Sequence, residues 1–125
     1  MHDLIAMGAA IVVAAALWLA MRRGRIAPQE AAQIVANGAQ LLDVRTDDEF
    51  AEAHLAGAVH VPLHLLRDNP RLAGEPQHPI VVYCRSGARS AMAARKLRSA
   101  GFAHVFDLGP MAAWPRRSDI VSVER

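Results

Sequence analysis

The chain has a single cysteine, Cys84, among its 125 residues. It cannot close an internal disulfide, which fits a reducing compartment and leaves the thiol free for chemistry or for packing. With one thiol there is no thiolate cluster for a metal. His60 and His64 do not replace it, because Pro62 lies between them and breaks the continuous helix that their i, i+4 spacing would need. They read as ordinary surface or packing residues, and no metal site is expected. An excess of one charge is missing as well. Of 14 Lys and Arg, three (Arg22, Arg23, Arg25) precede residue 26, and of 12 Asp and Glu only Asp3 does, so residues 26–125 carry 11 of each. That balance gives no case for nucleic-acid binding. There is no internal repeat and no low-complexity tract, and the length suits one globular domain but not two.

What the chain does have at its start is an uncharged run, Leu4 to Met21, "LIAMGAAIVVAAALWLAM", of 18 residues. That is close to the minimum for crossing a bilayer. A core helix of this composition would be apolar on every side, more than a small domain can cover. A cleaved secretory signal fits less well, since "MHD" carries no positive charge and the run leads into "RRGR", not a small-residue cleavage site. Residues 1–25 are therefore expected to be a transmembrane helix with a basic flank. Basic residues after a span stay on the cytoplasmic side, so the expected location is the cell inner membrane, single-pass, with the C-terminal domain cytoplasmic and residues 4–21 in the bilayer.

Beyond this flank, strand and helix signals alternate. Pro28 suits the first turn of a helix that Gly38 would end. "AQLLDV", 39–44, reads as a buried parallel strand carrying Asp43 and Arg45 at its C-terminal end, where α/β sites form. Thr46 and Glu49 make a capping box for a helix over 47–54, with Phe50 turned to the core. A short strand at 59–61 should close at Pro62, and "LHLLRDN" can form a brief helix. "PRLAGEPQHP" reads as an exposed connection. "IVVYC", 80–84, is the clearest strand, followed by a helix with Ala91, Ala94 and Leu97 on its apolar face and Gly101 beyond its end. "HVFDLG", 104–109, is a further strand, and Trp114 sits in a short helix or turn before a polar tail. The predicted fold is α/β, a parallel sheet with helices on both faces.

The strand ending in Cys84 passes through "RSGAR" into a helix. That places the sulfur over a helix N-terminus, ringed by backbone N–H groups that stabilise anions. With Arg85 and Arg89 close by, the setting favours thiolate over thiol and makes Cys84 a candidate nucleophile. Gly87 suits the tight turn. The plainer reading of an isolated cysteine at a strand end is a buried structural residue.

"CRSGARS" resembles the rhodanese active-site loop: cysteine, two residues, glycine, one residue, arginine. "LLDVRTDDEFAEAHLAGAVHVPL", 41–63, is similar to the upstream rhodanese signature, and "VFDLGPMAAWP", 105–115, to its closing stretch. The resemblance covers roughly residues 28–116, with Ala53 where the family often has glycine and Pro110 where it has a second glycine. It implies a rhodanese-like domain over 26–117 and a C-terminal tail over 118–125, as in the membrane-anchored rhodaneses of bacteria. The implied function is sulfurtransferase: sulfane sulfur moves from thiosulfate or a persulfide to a thiol acceptor, such as glutathione or a thioredoxin-like protein, through a Cys84 persulfide. Cys84 is then catalytic. Arg85, Ser86, Gly87, Ala88 and Arg89 bind the substrate, with Arg85 toward the anionic donor and Arg89 bracing the loop through a carboxylate such as Glu52 or Asp43. Asp43 and Arg45 are supporting residues, and no cofactor or metal is required. Two other functions stay open: a cysteine phosphatase or arsenate reductase, and a membrane-tethered binding module. Phosphatase loops place five residues between cysteine and arginine. Here four residues, 85–88, make a smaller ring suited to one sulfur atom.

Overall fold

The computed structural model describes the backbone of residues 2–22 and 24–122 and the side chains of 3–16 and 24–122. Helix α1 (His2–Arg22) precedes the domain. The domain runs α2 (Pro28–Ala36), β1 (Gln40–Asp43), α3 (Asp47–Glu52), β2 (Ala53–Leu55), β3 (Val59–His60), α4 (Leu63–Asp68), β4 (Ile80–Cys84), α5 (Ala88–Ser99), β5 (Val105–Pro110) and β6 (Ile120–Ser122). Four strands form a parallel sheet in the order β3-β1-β4-β5, with β1 and β4 central.

The two central strands are buried throughout or nearly so, as unbroken apolar runs demand, and their alternate residues build two cores. Leu42, Val44, Ile80, Val82 and Cys84 meet Ala93, Ala94 and Leu97 of α5 and Leu66 of α4 on one face. Leu41, Val81 and Tyr83 meet Ala31 of α2 and Leu55 of β2 on the other, with Ile34 and Trp114 packed against them. Each fully buried leucine or isoleucine contributes about 1.5–3 kcal/mol. Helices thus cover both faces, as the alternation of elements predicts.

Several local expectations differ in detail. The capping box forms: the Glu49 N–H donates to the Thr46 hydroxyl oxygen (3.2 Å) and the Glu49 carboxylate accepts from the Thr46 N–H (3.1 Å). Helix α3 nevertheless stops at Glu52, because Ala53 turns extended and starts β2. Phe50 does not face the core. It is sandwiched between the rings of His54 and His60, at centroid distances of 3.8 and 4.4 Å. The residues expected as a polar tail from 118 are structured as far as Ser122, where β6 pairs antiparallel with β2, His54 opposite Val121. Domain packing therefore continues past the expected boundary at 117.

Helix α1 exposes its apolar side chains, with Leu4, Ile5, Ile11 and Val12 at 73, 71, 67 and 68 % accessible. That excludes a core helix over these positions. Among the described residues no helix is long and apolar enough to cross a membrane. The structure therefore does not support the expected transmembrane helix, and positions 17–21 of that span lie outside the described side chains.

Candidate active site

Strand β4 delivers Cys84 to the C-terminal edge of the sheet, between Asp43 at the end of β1 and Pro110 at the end of β5. The chain then turns through Arg85, Ser86 and Gly87 into α5. Gly87 is the N-cap of α5 with φ 104°, a left-handed conformation that strains any residue carrying a Cβ. No side chain caps this helix. The N–H groups of its first turn have no intrahelical acceptor, and they gather at the loop.

The sulfur occupies this turn. Cys84 is fully buried, and its Sγ accepts the Gly87 N–H at 2.9 Å. Arg85, Ser86 and Ala88 are exposed above it, and Arg89 is partly buried. Of the five expected loop residues, Gly87 is the one whose N–H reaches the thiol. The exposed residues on either side of it, Arg85, Ser86 and Ala88, form the rim.

Arg89 is held from the side. Its two terminal nitrogens donate to the two Glu49 carboxylate oxygens at 2.6 and 3.0 Å, a bidentate pair. Hydrogen bonding from Arg89 drives the Glu49 carboxyl down to about 2 against the opposing effect of burial, and the Thr46 N–H assists. The same hydrogen bond raises Arg89 from its ordinary value. The partner of Arg89 is therefore Glu49, not Glu52 or Asp43. Glu49 closes the capping box of α3 and clamps the first turn of α5 with one carboxylate. Its place in the capping motif masked this second role, and 40 residues of chain separate the two partners.

Asp43 and Arg45 form a closed unit beside the loop. The Asp43 carboxylate accepts the Arg45 N–H at 2.8 Å, its Nε at 3.0 and 3.1 Å and its Nη2 at 2.8 Å, and Nη2 also donates to the Ala53 carbonyl at 2.5 Å. Both residues are buried. Asp43 fixes the β1 end through Arg45, which ties β2 to it at Ala53. Tyr83 strengthens the tie, accepting the Leu55 N–H at 3.0 Å.

At the end of β5, the register shifts between Val82 and Tyr83, so that Gly109 and Pro110 come opposite Tyr83 and Cys84. Gly109 adopts φ 83°, and its N–H donates to the buried Asp107 carboxylate at 2.8 Å. Burial pushes the Asp107 carboxyl up from its ordinary value, against hydrogen bonds from Ser90 and Gly109. Pro110, which has no N–H to give, continues the strand with φ −74° and leads into a 3-10 turn at Met111–Ala113. The proline in place of a second glycine thus leaves the rim path extended. Arg25, which the sequence presents as a basic flank, is the unforeseen member of this region: its guanidinium lies against Gly87 and Gly109.

The Rhodanese-like domain family matches residues 27–115 of the chain. The thiosulfate sulfurtransferase GlpE of Pseudomonas aeruginosa strain LESB58 is 37% identical over 91 residues, covering 72% of this chain and 82% of that protein. A sulfurtransferase of Allochromatium vinosum is 38% identical over 78 residues, covering 61% of this chain and 71% of its own length. Among solved structures, the Alr3790 protein from Anabaena sp. is 31% identical with a TM-score of 0.61, over 70% of this chain and 80% of that one. The loop, the parallel sheet that presents it and these similarities agree: the chain belongs to the rhodanese-like domain family, as a rhodanese-type sulfurtransferase.

Proposed function

We propose that Cys84 carries sulfane sulfur as a persulfide between an anionic donor and a thiol acceptor. The thiolate attacks the outer sulfur of thiosulfate, a new S–S bond forms, and sulfite leaves with the electron pair of the bond that breaks. An acceptor thiolate then attacks the terminal sulfur of the Cys84 persulfide, takes it as its own persulfide and returns Cys84 as thiolate. Atoms and charge balance without a redox partner or cofactor. The observation that carries this reading is the Gly87 N–H directed at Cys84 Sγ at 2.9 Å, at a helix start that no side chain caps. The same N–H groups suit the extra anionic sulfur.

Arg85 is exposed at the rim, the place from which an anionic donor would enter, and its role in this reading is donor binding. Because Cys84 is covered, entry requires the exposed Arg85 and Ser86 part of the loop to shift. Arg89, clamped by Glu49, holds the other side of the loop in place. The acceptor in this reading is a thiol, of glutathione or of a thioredoxin-like protein. Intact mass of the protein after mixing with thiosulfate or glutathione persulfide tests the reading: one added sulfur atom on Cys84 supports it, and no addition from either donor contradicts it.

We also propose that α1 attaches the domain to the cytoplasmic face of the inner membrane. What supports this is the uncharged run 4–21 followed by Arg22, Arg23 and Arg25, with accessible apolar side chains at the positions described. Recovery of the full chain in a carbonate-washed membrane fraction, with a C-terminal reporter active only inside the cell, is the expected result. A fully soluble chain, or a reporter active only outside, contradicts it.

A further inference from the structure

The segment that joins α1 to the domain is not a free linker. Residues Gly24–Ile26 lie beside β5: Arg25 bridges Asp107 in parallel, the Ile26 N–H donates to the Asp107 carbonyl at 2.9 Å, and the Asp107 N–H reaches the Gly24 carbonyl at 3.4 Å. This short fifth rung extends the sheet beyond its β5 edge. From it the Arg25 side chain crosses β5 at the one place where β5 has no side chain. A Cβ on Gly109 would come within 2.9 Å of Arg25 Cζ, and a Cβ on Gly87 would overlap Arg25 Nη2. Two glycines in succession, one on β5 and one at the N-cap of α5, make the channel that the guanidinium fills.

Arg25 makes little use of this position for its own hydrogen bonding. Its Nε is buried without a partner, and no ion pair joins it to a carboxylate among the described residues. The residue is only partly buried, yet a buried Nε without a partner is a cost that the placement of the group has to offset. The group it touches is Gly87, whose N–H is the one that meets Cys84 Sγ. Of the charged groups on the other elements around the loop, Arg89 is paired with Glu49 and Arg45 with Asp43, while Asp107, which accepts the Gly109 N–H, is the buried carboxylate that also feels the Arg25 charge. Arg85 is exposed at the rim.

We propose that Arg25 is a positioning residue of the catalytic loop, its guanidinium lying across Gly109 against Gly87 and fixing a positive charge behind the N–H that receives the Cys84 sulfur. The inference rests on Cys84 being the reactive thiol. It also makes the segment after α1 part of the reactive centre, so a domain cut at residue 26 would keep the family's matched region yet lose this charge. The role assigned to Arg25 is toward the sulfur, and that of Arg85, exposed at the rim, is capture of the donor.

The test uses the full chain and two replacements. Arg25→Met keeps the stem over the two glycines and removes the charge; Arg25→Lys keeps the charge. Cys84 alkylation by iodoacetamide, a neutral reagent that needs no anion site, is followed by mass at neutral pH, alongside steady-state sulfur transfer from thiosulfate. Arg25→Met should slow alkylation and kcat by about threefold to tenfold with the half-saturating thiosulfate concentration little changed, and Arg25→Lys should recover most of both. Arg25→Met reacting at the wild-type rate, or Arg25→Lys being as slow as Arg25→Met, overturns the proposal. Sulfur loading of the wild-type chain is measured in the same samples: its absence would defeat the persulfide reading, whereas the alkylation rates would still decide the role of Arg25.

Discussion

Two neighbouring strand ends, β1 and β4, solve opposite problems at the same edge of one sheet. Asp43 and Tyr83 are paired in register, and the residues that follow each strand are charged. At β1 every charge is closed: Asp43 takes four hydrogen bonds from Arg45, and Arg45 gives another to Ala53. At β4 the turn is left open, with one N–H on the Cys84 sulfur, a helix start without a side-chain cap, and Arg85 in solvent. Satisfied polar groups make a rigid frame, and unsatisfied donors held by that frame make a place for an anion. In the proposed function, reactivity belongs to the second end and stability to the first.

The largest effect that would sharpen this contrast comes from Cys84→Ser. Serine is nearly isosteric but is not ionised near neutral pH, so sulfur transfer should fall by about a thousandfold or more while the melting temperature moves little. Steady-state assay and thermal melting check both halves, and substantial residual transfer breaks the comparison. Asp43→Ala should do the reverse kind of damage. It leaves the Arg45 guanidinium buried without its partner, and urea denaturation should show a loss of about 3–5 kcal/mol. A loss under about 1 kcal/mol would mean that the β1 end is not the frame.

Glu49 joins the two regions, and its carboxyl offers a test by pH. Its folded value, about 2, lies below the ordinary carboxylate value of 4.5. The stabilisation it gives is therefore complete above about 4.5 and is lost as pH falls toward 2. Glu49→Gln keeps a side chain able to close the capping box but removes the charged clamp on Arg89. The variant should be less stable by about 1 kcal/mol at neutral pH, since both partners are partly exposed, and its stability should fall less steeply than the wild type's between pH 4.5 and 2. Parallel acid limbs would show that the pair does not clamp the loop. The smallest effect is expected at the rim. Arg85→Ala should raise the half-saturating thiosulfate concentration by about threefold to tenfold and lower turnover less, whereas an unchanged value would remove Arg85 from donor binding.

These contrasts also explain what could be read from the chain alone. β4, α5 and the Thr46–Glu49 box are written in adjacent residues, as an apolar run, a helical period and a four-residue motif, and they appear where the pattern places them. The loop was legible for the same reason, since Cys84 and Arg89 lie within one turn. Pairings across long stretches were not. β2 is three residues long and finds β6 only after 64 intervening residues, so neither segment carries a strand signal of its own. Glu49 and Arg89 meet only through their side chains, one from the first turn of α3 and one from the first turn of α5, and Arg25 reaches Gly87 only because residues 24–26 line up along β5. Phe50 has the spacing of a core residue, but His54 and His60 flank it and hold its ring between them.

The central claim is that the open end of β4 exists to carry sulfur on Cys84, and intact mass spectrometry of the full chain after exposure to thiosulfate tests it most directly. One added sulfur atom is predicted in the wild type, removable by a thiol and absent in Cys84→Ser. A chain that takes up no sulfur from thiosulfate or glutathione persulfide, yet hydrolyses an aryl phosphate efficiently, would contradict the account.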